Sequence, residues 1–349
     1  MASLTFKVSG NNFKYKVWYP KDIKELEKCP VLLYCNGTGS SYEKAKGTVK
    51  FLKIAASQGY ICVNNTDENC GKGTSMDAGF TKLMKLNRTK SSVLYGKVDL
   101  DRVVLAGHSQ GATCTMNMAN AEKYDNAKYY KAIYAASLPN ENLAASILQK
   151  CPYNSKKVKV PTLLIAGTGF TDSDSICPLD ISLIPNYKNI KADAVMARMI
   201  GVEHADSMEV TYPYMLAWFD YKLNGNQTAA KAFIGSKPEL KTNKAWQDFK
   251  SKIIVQSPVL EVVTAGKKCL TASWQAAPEA KGYELQYSTD KSFKTGVKTV
   301  KMKNAAKLSK KVSKLTSKKK YYVRIRAYRT VAGKPYYSAW SAKKGVTVK

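Results

Sequence analysis

From Pro30 onward the chain alternates short, mainly apolar runs with longer amphipathic ones. The apolar runs are Val31 to Cys35, Tyr60 to Val63, Val103 to Ala106, Ala132 to Ala135, Pro161 to Ala166 and Ala194 to Ile200. Runs this short and this apolar predict strands buried on both faces, as in a parallel sheet. Between them lie helix-period stretches at Val49 to Ala56, at Asp77 to Leu86, from about Gly111, and at Tyr214 to Leu223, the last stopped by Asn224 and Gly225. Strand and helix in alternation predict a three-layer α/β domain with a mostly parallel sheet. After Ile234 the pattern gives way to a Lys-rich connector around residues 236–244, and from Pro258 the period changes to two. Leu270 to Trp274, Gly282 to Tyr287, Lys298 to Met302, Tyr321 to Ala327 and Gly345 to Lys349 then predict an all-β sandwich. The expected domains are therefore residues 1–250, connector included, and residues 258–349.

Composition sharpens this division. The chain has 349 residues, with 56 Lys and Arg against 26 Asp and Glu, a net charge of +30. A charge of that size prompts a search for a polyanionic partner. Its distribution is uneven: residues 251–349 carry 23 basic and 4 acidic residues, net +19, whereas the first 250 carry +11. Lysine runs such as Lys318 to Lys320 are expected as solvated faces, and no nucleic-acid partner is expected. No apolar run is long enough to cross a membrane, and the opening residues lack the apolar stretch of a secretory signal. A cytoplasmic location stays open on that count, beside export by a signal that this sequence does not carry. The eight cysteines form no C-x-x-C pair; Cys62 with Cys70, or Cys151 with Cys177, are pairings that spacing allows without deciding.

The chemistry gathers at Gly107-His108-Ser109-Gln110-Gly111, a G-x-S-x-G match. An apolar run leads straight into it and a helix-compatible stretch follows, which is the strand, sharp turn and helix of a nucleophile elbow. Such a turn leaves no room for Cβ atoms two residues either side of the serine, hence the glycines. A serine nucleophile needs a base, and the chain has two histidines. His108 adjoins the serine, where the backbone directs its ring away from the hydroxyl, and is expected to pack at the elbow. His204 follows the last predicted strand of the first domain and so reaches the carboxyl edge of the sheet. The orienting acid is expected in the loop after Pro161 to Ala166, where Asp172, Asp174 and Asp180 stand. Oxyanion donors are expected at the backbone N–H of Gln110 and in the loop after Val31 to Cys35, at Thr38. The Gly pairs at 37/39, 71/73 and 167/169 lack the third glycine of a dinucleotide loop, and no metal or organic cofactor is expected.

Residues from about Asn12 to Ile234 resemble α/β-hydrolases of the dienelactone-hydrolase-like and bacterial cutinase or polyester-hydrolase-like group. The resemblance rests on the runs ending in Asn36-Gly37-Thr38-Gly39 and Gly107 to Gly111, on Asp174 to Pro178, and on Gly201 to His204. It implies an α/β-hydrolase sandwich and a serine carboxylesterase with Ser109, His204 and Asp174 as its triad, acting on an ester substrate. Polyester hydrolases carry an aromatic after the oxyanion glycine and a Trp after the strand that follows the nucleophile helix. Here Thr38 and approximately Leu138-Pro139 stand instead, so Tyr42, Leu138 and Phe170 are the expected substrate contacts. An acyl-carbohydrate esterase (acetyl or feruloyl) is the alternative reading, and a non-catalytic cell-surface binding protein is the alternative of another class. The tail resembles a fibronectin type III domain, with Trp274 at the core position and Leu315 followed by Tyr321 at the tyrosine corner. Such domains at the ends of exported Gram-positive proteins imply a secreted or cell-surface location, with an anionic cell-wall polymer as a partner of the basic domain.

Overall fold

A computed structural model describes residues 1–349 and divides into two compact units, Met1–Lys252 and Ile253–Lys349. The first is built on a nine-stranded sheet: β1 (Ala2–Lys7), β2 (Lys14–Tyr19), β3 (Cys29–Cys35), β4 (Ile61–Asn65), β5 (Val98–His108), β6 (Tyr130–Ala136), β7 (Thr162–Gly167), β8 (Ala194–Met199) and β9 (Trp246–Lys252). Their spatial order is β1-β2-β4-β3-β5-β6-β7-β8-β9. The strands from β4 to β8 run parallel, and the sheet ends in antiparallel pairs, β1–β2 and β2–β4 on one side and β8–β9 on the other. The central strands are those legible as apolar runs, because both of their faces are covered. β1 alternates half-buried and exposed positions, as an edge strand does, and lies outside the apolar pattern.

The α-helices of five residues or more are α1 (Lys46–Ser57), α2 (Thr74–Arg88), α3 (Gln110–Met118), α4 (Glu141–Ala145), α5 (Ile184–Asn189) and α6 (Ser207–Asn224). α3 is buried along its whole length, consistent with its small and apolar residues beneath the elbow. Strand order reverses at β3: β4 lies to one side of it and β5 to the other. Crossovers then leave on opposite faces, and a crevice opens at the carboxyl ends of β3 and β5. Cys35 pairs with Gly107 there, so Asn36 and Ser109 emerge side by side. Between the lysine-rich connector and Pro258, where no strand was expected, lies β9, whose Trp246 is buried and packs edge-on to Tyr214 of α6.

The second unit contains two antiparallel sheets. One is β10 (Leu260–Gly266), β11 (Cys269–Trp274) and β14 (Ser309–Ser313); the other is β13 (Lys298–Met302), β12 (Gly282–Ser288), β15 (Lys320–Val331) and β16 (Lys334–Tyr337), with β17 (Lys344–Thr347) also on β15. Leu270, Ala272 and Trp274 from one sheet meet Tyr283, Leu285, Val323 and Ile325 from the other in a single core. Period-two patterning in this region is thus the trace of strands buried on one face. All eight cysteines are free thiols, seven of them buried, so neither of the two pairings that spacing allowed is formed. No helix is long and apolar enough to cross a membrane.

Candidate active site

Ser109 sits between β5 and α3 with φ 56° and ψ −125°, a backbone conformation that side chains with a Cβ rarely adopt. Two glycines make the turn possible. A Cβ on Gly107 would lie 2.2 Å from the Gly111 carbonyl oxygen, and one on Gly111 would lie 2.1 Å from that of Cys35. Both contacts are with backbone, so the turn admits no larger residue at either position. The serine N–H donates to the Ala136 carbonyl at 2.9 Å, tying the elbow to the neighbouring strand.

The loop after β3 closes on this turn. A Cβ on Gly37 would lie 3.6 Å from that of Ser109. Asn36 anchors the loop from below: its amide donates to Asn65 and to the Asp67 carbonyl, and its side-chain oxygen accepts from Asn64. The Gly39 N–H is engaged by the Glu68 carbonyl at 2.9 Å. Gln110 opens α3, and the first N–H groups of a helix have no partner within it.

His204 lies on the loop between β8 and α6. Its Nδ1 is 2.6 Å from Oδ1 of Asp172, which is fully buried. The other carboxylate oxygen, Oδ2, accepts from the Ser137 hydroxyl at 2.7 Å and from the Gly167 N–H at 2.8 Å. Burial alone would raise the Asp172 carboxyl; the bonds from His204, Ser137 and Gly167 overcome it and hold the group below the ordinary carboxylate range. Asp172 is therefore an anion paired with the imidazole. Asp174, the acid that the resemblance favoured, is exposed on the same turn, and Asp180 is exposed as well.

The reason is local. Residues Thr171–Ile176 form a π-helical turn, and residues two apart on a helical turn do not share a face. When Asp172 turns in, Asp174 must turn out. Sequence order could not choose between them, since both follow the same strand.

His108 holds His204 from the other side. Its Nε2 donates to the His204 carbonyl at 2.8 Å, and the two rings lie 4.5 Å apart. This contact brings His204 beside the elbow, one residue from Ser109. Burial, and then the neighbouring His204 ring, push the His108 imidazole down to about 4, so it stays neutral near pH 7.

The three expected substrate contacts separate. Leu138 is 1% exposed and belongs to the core, so it lines no open site. Tyr42 packs edge-on to Trp18 and lies in a groove with Lys46, Val49 and Ile54 of α1. Phe170 is 74% exposed on the loop that also carries Asp172. No group of His, Cys, Asp and Glu side chains is arranged to hold a metal ion.

A scan against protein-family models matches residues 17–250 to the PETase family, described as PET hydrolase-like. The chain belongs to the PET hydrolase-like family. The family is one of polyester hydrolases of the α/β-hydrolase type, so the first unit has the fold and the general class, ester hydrolysis, of that family. No curated protein matches the chain. The PET hydrolase-like match ends at Lys250, inside β9, and leaves the second unit outside it.

What sequence reasoning passed over at this PET hydrolase-like site is Ser137 and Ser207, whose hydroxyls stand 3.1 Å apart. A serine immediately after a buried strand, with a second one three residues past the expected base, was the available signal.

Proposed function

We propose that the first unit is a serine carboxylic ester hydrolase working through an acyl-enzyme, with Ser109, His204 and Asp172 as its triad. The observation that carries the reading is the 2.6 Å hydrogen bond from His204 Nδ1 to the buried Asp172 carboxylate, beside a serine in the elbow conformation. The pairing fixes the proton on Nδ1, so Nε2 is free to accept. Ser109 Oγ attacks the ester carbonyl as its proton passes to Nε2. The N–H groups of Gln110 and Thr38 hold the oxyanion. Collapse expels the alcohol, which takes the proton from His204, and water then repeats the sequence in reverse roles to release the acid. Asp172 remains ionised throughout and stabilises the imidazolium as it forms.

The substrate class follows from the family and from the rim of the site. Phe170, 74% exposed, stands on the loop beyond β7 that carries Asp172, and Ile147 and Leu148, 81% and 82% exposed, follow α4. Exposed apolar side chains on loops at the carboxyl edge suit a hydrophobic ester, polymeric or long-chain, better than an acylated sugar. Hydrolysis of p-nitrophenyl esters of graded acyl length, by the parent and by Ser109→Ala, tests the reading: activity that survives the substitution removes the mechanism.

The second unit we read as a fibronectin type III-like tether for an exported enzyme. Trp274 is buried in its core, and the Thr316 N–H donates to the Tyr321 hydroxyl at 3.2 Å, as a tyrosine corner requires. Residues 298–320 hold ten lysines and no carboxylate, and they include β13 and β14, an edge strand of each sheet. Lysine on an edge blocks strand pairing. At this density it also suits adhesion to an anionic cell-wall polymer. Retention of the full chain on such material at low salt, lost at high salt, is the expected result; equal retention of residues 1–252 alone would remove the adhesion.

A further inference from the structure

Ser137 combines two properties that ordinarily exclude each other. It is fully buried, and its φ is 49°, in the left-handed region where a side chain is a cost that glycine escapes. Its N–H is satisfied by the Ile165 carbonyl at 2.7 Å, so the strand end is held in place by backbone alone. What a glycine would lack here is the hydroxyl. That hydroxyl donates to Asp172 Oδ2 at 2.7 Å.

Resting on the ester-hydrolase reading above, we propose that Ser137 is a positioning residue that orients the triad carboxylate. Asp172 has two oxygens and one task. Ser137 and the Gly167 N–H together occupy Oδ2, which turns Oδ1 alone toward His204 Nδ1. The hydroxyl is itself held. Ser207 Oγ lies 3.1 Å from Ser137 Oγ and 3.1 Å from the His204 carbonyl, and a hydroxyl has one proton to give. His108 Nε2 already donates to that carbonyl at 2.8 Å. Ser207 thus stands between the His204 carbonyl, to which it donates, and Ser137, whose own proton goes to Asp172. The His204 loop and its acid are tied together through two serines as well as through the imidazole. Backbone strain at a residue whose side chain contacts a reacting group's partner is the kind of strain that functional sites retain.

Two substitutions separate the hydroxyl from the backbone. Ser137→Gly relieves the left-handed conformation and removes the hydroxyl; Ser137→Ala removes the hydroxyl and keeps the strain. Both are expected to lower kcat about tenfold at unchanged KM, the effect of losing one hydrogen bond to a charged group. The glycine variant should melt no lower than the alanine variant. With two histidines in the chain, ¹⁵N-histidine NMR resolves the proton on His204 Nδ1. Its downfield resonance should move in both variants, a change that a purely structural role would not produce. A glycine variant with parental kcat and an unmoved resonance would overturn the proposal. The resonance needs no substrate, so it decides the role of Ser137 even if full activity of Ser109→Ala removes the hydrolase reading.

Discussion

The two units differ in one kind of backbone strain: only the first has it at buried residues. In the second, positive φ falls on Lys268, Glu279, Lys314 and Lys318, all exposed, and on Phe293 and Ala332, which are partly so. These are connections between strands, where a turn must reverse the chain and the side chain has solvent to occupy. In the first, Lys150 is exposed and Asp248 partly so, as in the second unit, but Ser109 and Ser137 have positive φ while 8% and 0% exposed. A turn alone would be served by glycine at either place, and indeed Gly107 and Gly111 flank the first. Strain at exposed turns thus reports topology, whereas strain beneath a buried hydroxyl reports chemistry.

The sharpest way to break this comparison is Ser109→Ala. It is expected to cost at least ~10⁴-fold in kcat/KM on a soluble ester without loss of fold, since it removes the nucleophile and leaves the elbow backbone as it was. Titrating ester hydrolysis against folded protein measured by circular dichroism checks both halves.

Next in size is the contrast between two acids on one turn. Asp172→Asn is expected to lower kcat by about 10³- to 10⁴-fold, because an amide presents the wrong partner to Nδ1 and reverses the tautomer. Asp174→Asn should stay within about twofold of the parent, as exposed substitutions generally do. Equal losses in the two variants, read from steady-state rates at pH 8, would undo the assignment of the buried acid.

His108 supplies a smaller effect with a definite sign. Its imidazole falls from 6.5 to about 4 on folding, so the unfolded chain binds the proton first as the pH drops. The stability it confers is present above pH 6.5 and is lost between there and pH 4, with a slope of at most ~1.4 kcal/mol per pH unit. Urea midpoints measured across that window should show the slope in the parent and a shallower one in His108→Gln.

The smallest expected effect lies in the second unit. Lys314→Gly should raise the melting of that unit by about 0.5 kcal/mol, the relief of left-handed strain less the entropy of glycine. Calorimetry of the whole chain would separate its transition from that of the first unit. A loss instead would mean that the exposed turns, too, hold side chains for a reason.

Much of this was written plainly in the chain. Strands β3 to β8 announced themselves as uninterrupted apolar runs, and the glycines at 107 and 111 marked the elbow, because packing on both faces and a crowded turn each demand particular residues. The site's acid was harder to find. Asp172 and Asp174 share the loop after β7 and a residue type, and only the π-helical turn decides which faces inward. Leu138 misled for a related reason: its place after β6 suggested the substrate, but the chain turns at Ser137 and sends that side chain into the core. Position along a strand end fixes neighbourhood, and the direction of a side chain there is set by dihedrals that composition does not record.

The antiparallel strand β9 determines where the first unit can be cut. Lys252, its last residue, donates from Nζ to the carbonyls of Tyr187, Lys188 and Ile190, closing the end of α5. A fragment ended near Ile234, where the α/β pattern fades, would strip the sheet of its outer strand and leave β8 with open backbone groups along one side. Such an edge pairs with its own kind, so the shorter fragment should precipitate during expression. The fragment ending at Lys252 should remain monodisperse, since the edge it presents is β9, whose Asp248, Lys250 and Lys252 oppose pairing with another chain.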